Sequence, residues 1–284
     1  MASPHTLLKA SQMRAKKQLG QNFLNDSQAA QAIVACSQIG QRSVVLEIGA
    51  GLGALTVPLA REAARVLAVE KDRELLPLLK MELLAKKITN VEVIAADILT
   101  LDWESLAPPP GEKLLVMGNL PYNISSQILV RLIRHRRWVE RAVLMFQKEL
   151  AQRIMAAPGS RDYGRLSVML QYCARIRPLM DLRAGQFYPR PKVDSIVLEI
   201  DFLPTPPVPA DDEEVLARVV KAAFSRRRKT LRNALGGGQL QLSPSAAAAL
   251  LQAAAIDPAR RAETLSVAEF VVLSNIIGRF LPTG

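Results

Sequence analysis

Short apolar runs alternate with helix-length segments through the first half of the chain, and this alternation constrains the fold more than any other feature. Val44 to Ile48, Arg65 to Val69, Val91 to Ala96 and Lys113 to Gly118 read as buried strands. Ala54 to Ala64, Asp72 to Lys86 and Ser125 to Arg136 read as helices, with Pro58 in the first turns of its helix, where a missing N–H costs nothing. A fifth strand at Arg141 to Phe146, a helix at Lys148 to Ala156 and a last strand at Asp194 to Asp201 continue the series. Strands separated by helices of this length form βαβ units, so the expected fold is α/β, Rossmann-like, with a mostly parallel sheet.

The pattern then changes. Pro204 to Pro209 reads as a stiff linker. Asp211 to Glu214 is an acidic helix start, favourable against the helix dipole. Val215 to Ala234, Ser245 to Ala255 and Ser266 to Phe280 read as helices, with Gly236 to Gly238 breaking the first from the second. A smaller all-α domain is therefore expected over 208–284, behind a larger α/β domain over 26–203 and a basic segment over 1–25.

Composition removes several chemistries. The chain has two histidines, His5 and His135, and two well-separated cysteines, Cys36 and Cys173. No His-based triad and no metal site is expected from so few ligands. No uninterrupted apolar run reaches the ~18 residues of a membrane span, and Met1 to Asn25 lacks the apolar core of a signal peptide. A cytoplasmic protein with no membrane partner is expected. The net charge of +11 suits a polyanionic partner.

The strand ends carry the functional signal, because open α/β sheets bind ligands there. Glu47 to Ala54 reads E-I-G-A-G-L-G-A between the first strand and its helix, where glycines permit a tight turn and close ligand approach. Gly49, Gly51 and Ala54 also satisfy the dinucleotide pattern, so NAD is not excluded by this loop. Glu70 ends the second strand, where a carboxylate can accept from ribose hydroxyls. Asp97 ends the third, where it can accept from an adenine amine. Three such groups at successive strand ends point to an adenosine-containing ligand. Asn119, Leu120, Pro121 and Tyr122 follow the fourth strand. Alone, these four residues read as a turn; beside the other strand ends they can grip a flat ring by its amine.

This series of motifs resembles the S-adenosylmethionine-dependent methyltransferases, and within them the ribosomal RNA adenine dimethyltransferases, nearest to those acting on 16S RNA of the small subunit. The resemblance rests on E-I-G-A-G-L-G at 47–53, V-E-K-D at 69–72, A-D-I at 96–98 and G-N-L-P-Y-N-I-S-S at 118–126. It extends through K-Q-L-G-Q-N-F-L at 17–24, F-Q-K-E at 146–149, Y-G-R-L-S-V at 163–168 and F-Y-P-R-P-K-V-D-S at 187–195. It implies a class I methyltransferase fold with S-adenosyl-L-methionine as cofactor. Asn22 and Leu24 would close over that cofactor from the N-terminal segment. Gly49, with Gly51 in the same loop, would approach its methionine part, Glu70 its ribose and Asp97 its adenine, with Asn119 beside the transferable methyl.

The implied chemistry fits the residues. Asn119 and a main-chain carbonyl of Leu120 or Pro121 would accept from the adenine amine, and Tyr122 would stack on the base. Phe187 would cover its other face. Basic clusters at Arg226, Arg227, Arg228, Lys229 and Arg232, at Arg131 to Arg141 including Arg134 and Arg137, and at Lys9 to Lys17 would meet RNA phosphates. The expected substrate is two adjacent adenines of 16S ribosomal RNA in a small-subunit precursor, and the expected state is a monomer. A large-subunit RNA methyltransferase of the erythromycin-resistance type, a DNA adenine methyltransferase and a non-catalytic RNA-binding assembly factor stand as alternatives.

Overall fold

The computed structural model describes residues 3–109, 111–226, 228–237 and 240–280. Their strands are β1 (Phe23–Leu24), β2 (Val44–Ile48), β3 (Arg65–Glu70), β4 (Val91–Ala95), β5 (Leu114–Asn119), β6 (Val139–Gln147), β7 (Ala174–Leu182), β8 (Phe187–Tyr188) and β9 (Ser195–Phe202). Their helices are α1 (Pro4–Ala10), α2 (Ser27–Cys36), α3 (Thr56–Glu62), α4 (Leu76–Ala85), α5 (Ser125–Arg134), α6 (Lys148–Met155), α7 (Arg165–Cys173), α8 (Glu213–Ala223), α9 (Leu231–Leu235), α10 (Pro244–Ala253) and α11 (Val267–Gly278).

Seven strands form one sheet in the order β4-β3-β2-β5-β6-β9-β7. β4, β3, β2, β5 and β6 pair in parallel, and β9 pairs antiparallel to β6. The chain runs outward from β2 to β3 and β4, then returns to place β5 on the other side of β2. This reversal opens a crevice at the carboxyl ends of β2 and β5, the place where such sheets take ligands. Gly118 lets these two strands close up there: a Cβ on it would lie 2.6 Å from the carbonyl oxygen of Ile48. The core of the sheet includes Val45, Val66, Ala68, Met117, Val143, Met145 and Val197, all buried.

Two compact units account for the chain, one comprising residues up to Ala151 with Arg175–Phe202, the other Gln152–Ala174 with Leu203 onward. The boundary therefore differs from the contiguous division expected near residue 203, because 152–174, with α7, joins the helical unit. In that unit the Tyr172 hydroxyl lies 3.1 Å from Glu213 at the start of α8, and Phe224 meets Phe270 of α11. Asp212 caps α8, and Ser266 with Glu269 forms a capping box on α11.

The helix expected over Val215 to Ala234 is broken into α8 and α9. Ser225 Oγ donates to the Ala222 carbonyl as α8 ends. Arg226, Arg228 and Lys229 are exposed in the turn that follows. A continuous helix would have set those like charges one turn apart, which is unfavourable. Among the described residues no helix is long and apolar enough to cross a membrane.

Candidate active site

The glycine loop after β2 is held from β3. Gly49 and Ala50 donate their N–H groups to the Val69 carbonyl at 2.9 and 3.2 Å. Gly49 has φ +78° and Gly51 φ +55°, backbone that glycine adopts without strain. The Gly51 N–H donates to Glu70 Oε2 at 2.8 Å, and the Asp72 N–H donates to Glu70 Oε1 at 2.7 Å. Glu70 thus ties the loop to its own strand end. Burial raises its pKa, while those two N–H groups pull it back. Each carboxylate oxygen keeps a second lone pair for a ligand hydroxyl.

Asp97 has its Oδ2 2.8 Å from Lys71 Nζ, and its Oδ1 accepts from the Leu99 N–H at 2.9 Å. Burial would raise its pKa, but the Lys71 ammonium and the Leu99 N–H hold it below the ordinary carboxylate range. A ligand amine at Asp97 therefore meets an ionised acceptor.

After β5, Asn119 donates its side-chain Nδ2 to the main-chain carbonyl of Asn22 at 2.7 Å. That carbonyl can only accept, so the amide nitrogen must face it and Oδ1 is turned away. The Pro121 carbonyl accepts from the Ile124 N–H at 3.1 Å and from Ser125 Oγ at 2.9 Å. Of the two main-chain carbonyls expected to reach an amine, Leu120's is thus the less engaged. Tyr122 is tethered by its hydroxyl, 3.0 Å from Ser195 Oγ at the start of β9. Burial raises the Tyr122 pKa, so it stays neutral.

One cleft brings together Asn22, Gly49, Gly51, Glu70 and Asp97 with Asn119, Leu120, Pro121 and Tyr122. Leu24 and Phe187 are not on its wall. They face each other across the antiparallel β1–β8 pair and are buried in the sheet's core cluster. Side chains alternate along a strand, so burying Leu24 turns its neighbour Phe23 to the other face. Phe23 lines the cleft, with its ring 3.2 Å from where a Gly51 Cβ would sit. Sequence reasoning named Leu24 and missed Phe23, because β1 is two apolar residues long and its alternation cannot be read from hydropathy. It also missed Ser195 and Lys71.

The basic clusters divide. Arg226, Arg228, Lys229 and Arg232 are exposed, and Arg227 lies outside the described residues. Arg134 and Arg137 are exposed, with Arg137 over the Trp138 ring. Arg131 instead donates to the Leu99 and Leu101 carbonyls, and Arg141 pairs with the buried Glu199. These two are structural.

A switch-point cleft carrying a glycine loop, two strand-end acids and a clamped asparagine defines a class I methyltransferase architecture. The chain belongs to the ribosomal RNA adenine dimethylase family, whose model matches residues 12–278. It is 52% identical over 277 residues to the ribosomal RNA small subunit methyltransferase A of Desulforapulum autotrophicum, covering 98% of this chain and 97% of that one. The protein of the same name from Pseudomonas aeruginosa is 41% identical, covering 93% and 95%. Among solved structures, a dimethyladenosine transferase from Plasmodium falciparum superposes with a TM-score of 0.75 at 25% identity, covering 88% of this chain and 95% of that chain. The 23S rRNA methyltransferase ErmE gives 0.65 at 25% identity, covering 90% and 100%.

Proposed function

We infer that this chain is an S-adenosylmethionine-dependent enzyme that dimethylates the exocyclic amines of adenines in 16S ribosomal RNA during small-subunit biogenesis. The observation that carries the reading is the fixed Asn119 amide, with its nitrogen on the Asn22 carbonyl and its oxygen turned away from it. An adenine amine is a poor nucleophile because its lone pair is delocalised into the ring. Asn119 Oδ1 and the Leu120 carbonyl would accept its two hydrogens, localise that lone pair and stabilise the positive charge that develops. After the first transfer the amine still offers one hydrogen to this pair. The half-buried Tyr122 ring, tethered to Ser195, would stack on the base. A base reaches such a cleft only when extruded or unpaired.

The cofactor supplies a methyl group on a sulfonium. The cleft suits it: Glu70 and Asp97 offer acceptors, and no basic residue lies between Glu47 and Pro58 to receive a phosphate. Glycine at 49 suits the loop through its φ of +78°, since a Cβ there would meet the Asn119 carbonyl only at an ordinary contact of 3.7 Å. Phe187 and Leu24 contribute from the core, by fixing the β1–β8 pair beside Phe23 and Tyr188. The exposed cations at 226, 228, 229, 232, 134 and 137 would meet RNA phosphates. The named relatives support the small subunit as substrate, and the protein is read as a cytoplasmic monomer.

Asn119→Ala should bind S-adenosylmethionine in calorimetry yet lose methyl transfer by on the order of 10²-fold or more. Transfer at the wild-type rate would remove the amine-gripping role. Incubation with labelled cofactor should label adenines of unmodified small subunits; label confined to large subunits or DNA would overturn the substrate.

A further inference from the structure

The segment before α2 contributes residues Gln18 to Phe23 to the cleft and is anchored from β3's end. Asp72, two residues beyond Glu70, is buried and holds this arm with both carboxylate oxygens. Its Oδ1 is 2.8 Å from Lys16 Nζ, and its Oδ2 accepts from Gln21 Nε2 at 2.8 Å. Gln21 Oε1 in turn accepts from the Lys16 N–H at 2.7 Å, so the three residues close a ring of polar contacts. The arm also lies directly on the turn after β5. Gly20 has φ +64°, and a Cβ on it would lie 2.8 Å from Asn123 Oδ1 and 3.4 Å from Pro121 Cβ.

Gln21 is followed by Asn22, whose carbonyl takes the Asn119 amide. Only two soft torsions separate adjacent residues, so pinning Gln21 places that carbonyl. An amide occupies nearly the same volume either way round, so sterics do not choose its orientation. The Asn22 carbonyl does, because a flipped amide would set two acceptors 2.7 Å apart. Without the arm, Asn119 could turn its NH₂ toward an incoming amine, donor against donor.

We propose that Asp72 is a positioning residue for methyl transfer, latching the N-terminal arm through Lys16 and Gln21 so that the Asn22 carbonyl holds Asn119 with its oxygen toward the amine. This rests on the clamp reading of Asn119 given above. The latch acts on the orientation of a group that works in the transition state, so its loss lowers kcat more than it raises KM for RNA.

The test uses the full chain, saturating S-adenosylmethionine and unmodified small subunits. Gln21→Glu sets a second carboxylate against Asp72 and should lower kcat about tenfold or more, with KM for RNA changed by less than about threefold. Exchanging the groups, Gln21→Glu with Asp72→Asn, restores a donor opposite an acceptor and should recover most of the loss. Gln21→Ala, on a half-buried arm residue, should show the same kcat fall without introducing charge. The latch is overturned if Gln21→Glu and Gln21→Ala keep the wild-type kcat, if the loss lies wholly in KM, or if the exchange recovers nothing. Asn119→Ala separates the two ideas. Full activity in that variant defeats the clamp reading itself; an inactive Asn119→Ala beside a fully active Gln21→Glu defeats the latch alone.

Discussion

Glu47 is 1% exposed beside the cleft loop, close to the buried Thr56 hydroxyl, and its Oε2 has no hydrogen bond of good geometry among the described residues. Burial drives its pKa up to about 7 from an ordinary 4.5, with the Thr56 hydroxyl pulling it part of the way back and the neighbouring Glu70 charge adding to the rise. A carboxyl raised in this way contributes fully below its unfolded pKa and loses that contribution as pH rises through the folded value. Glu47→Gln should therefore gain on the wild type by about 1–3 kcal/mol between pH 4.5 and pH 8. Urea unfolding at the two pH values measures it, and a pH-independent difference would show that Glu47 titrates alike in the folded and unfolded chain. Glu70 and Asp97 were legible because Glu70 ends β3 and Asp97 follows β4 by two residues, each closing an apolar run. Their partners, the Gly51 N–H and Lys71, were not, because local sequence does not say which N–H or ammonium a carboxylate meets. Leu24 and Phe23 show the same limit: a two-residue strand is too short for hydropathy alone to say which neighbour faces the core.

At the level of elements, periodicity located the strands of the parallel sheet to within a residue or two. It did not reveal the N-terminal helices α1 and α2 or the α7–β7 passage. α2 is capped by Asp26, whose carboxylate accepts from the Gln28 and Ala29 N–H groups. β7 alternates apolar and charged residues only over Ala174–Arg177, loses the alternation at Pro178–Met180, and is placed as an edge strand only by its sheet. The end of α8 was missed for another reason: Arg and Lys are good helix formers, and only their accumulated like charge argues against continuing. Caps are local and so more legible. Ser266 accepts from the Glu269 N–H, and Glu269 accepts in return from the Ser266 N–H at 2.7 Å while pairing with Arg260. Ser266→Ala should lower unfolding stability by about 1 kcal/mol. Denaturant melts check this, and an unchanged midpoint would mean that the Arg260–Glu269 pair alone holds the start of α11.

Across the whole molecule, a net charge of +11 sets the expectation for RNA affinity. Reversing Arg226 and Arg228 to Glu should weaken RNA binding at moderate salt. It should also make the dependence of log K on log salt shallower, by roughly one for each phosphate no longer neutralised. Equal slopes for variant and wild type, from filter binding at several salt concentrations, would move the RNA face elsewhere. Charge counting could not make the division seen among the Arg131–Arg141 cations, since an arginine's sequence neighbours do not reveal whether a buried carboxylate waits for it. By itself the sequence determined the parallel α/β sheet, the glycine loop, the strand-end acids and the N-L-P-Y turn, because each depends on periodicity or on residues within a few positions of one another. Tertiary structure alone decided that Asn119 is oriented by Asn22, 97 residues earlier in the chain, that Lys16 and Gln21 meet Asp72, and that Phe23 rather than Leu24 faces the cleft. Those pairings join segments far apart in sequence, and only the packed sheet brings them within hydrogen-bonding reach.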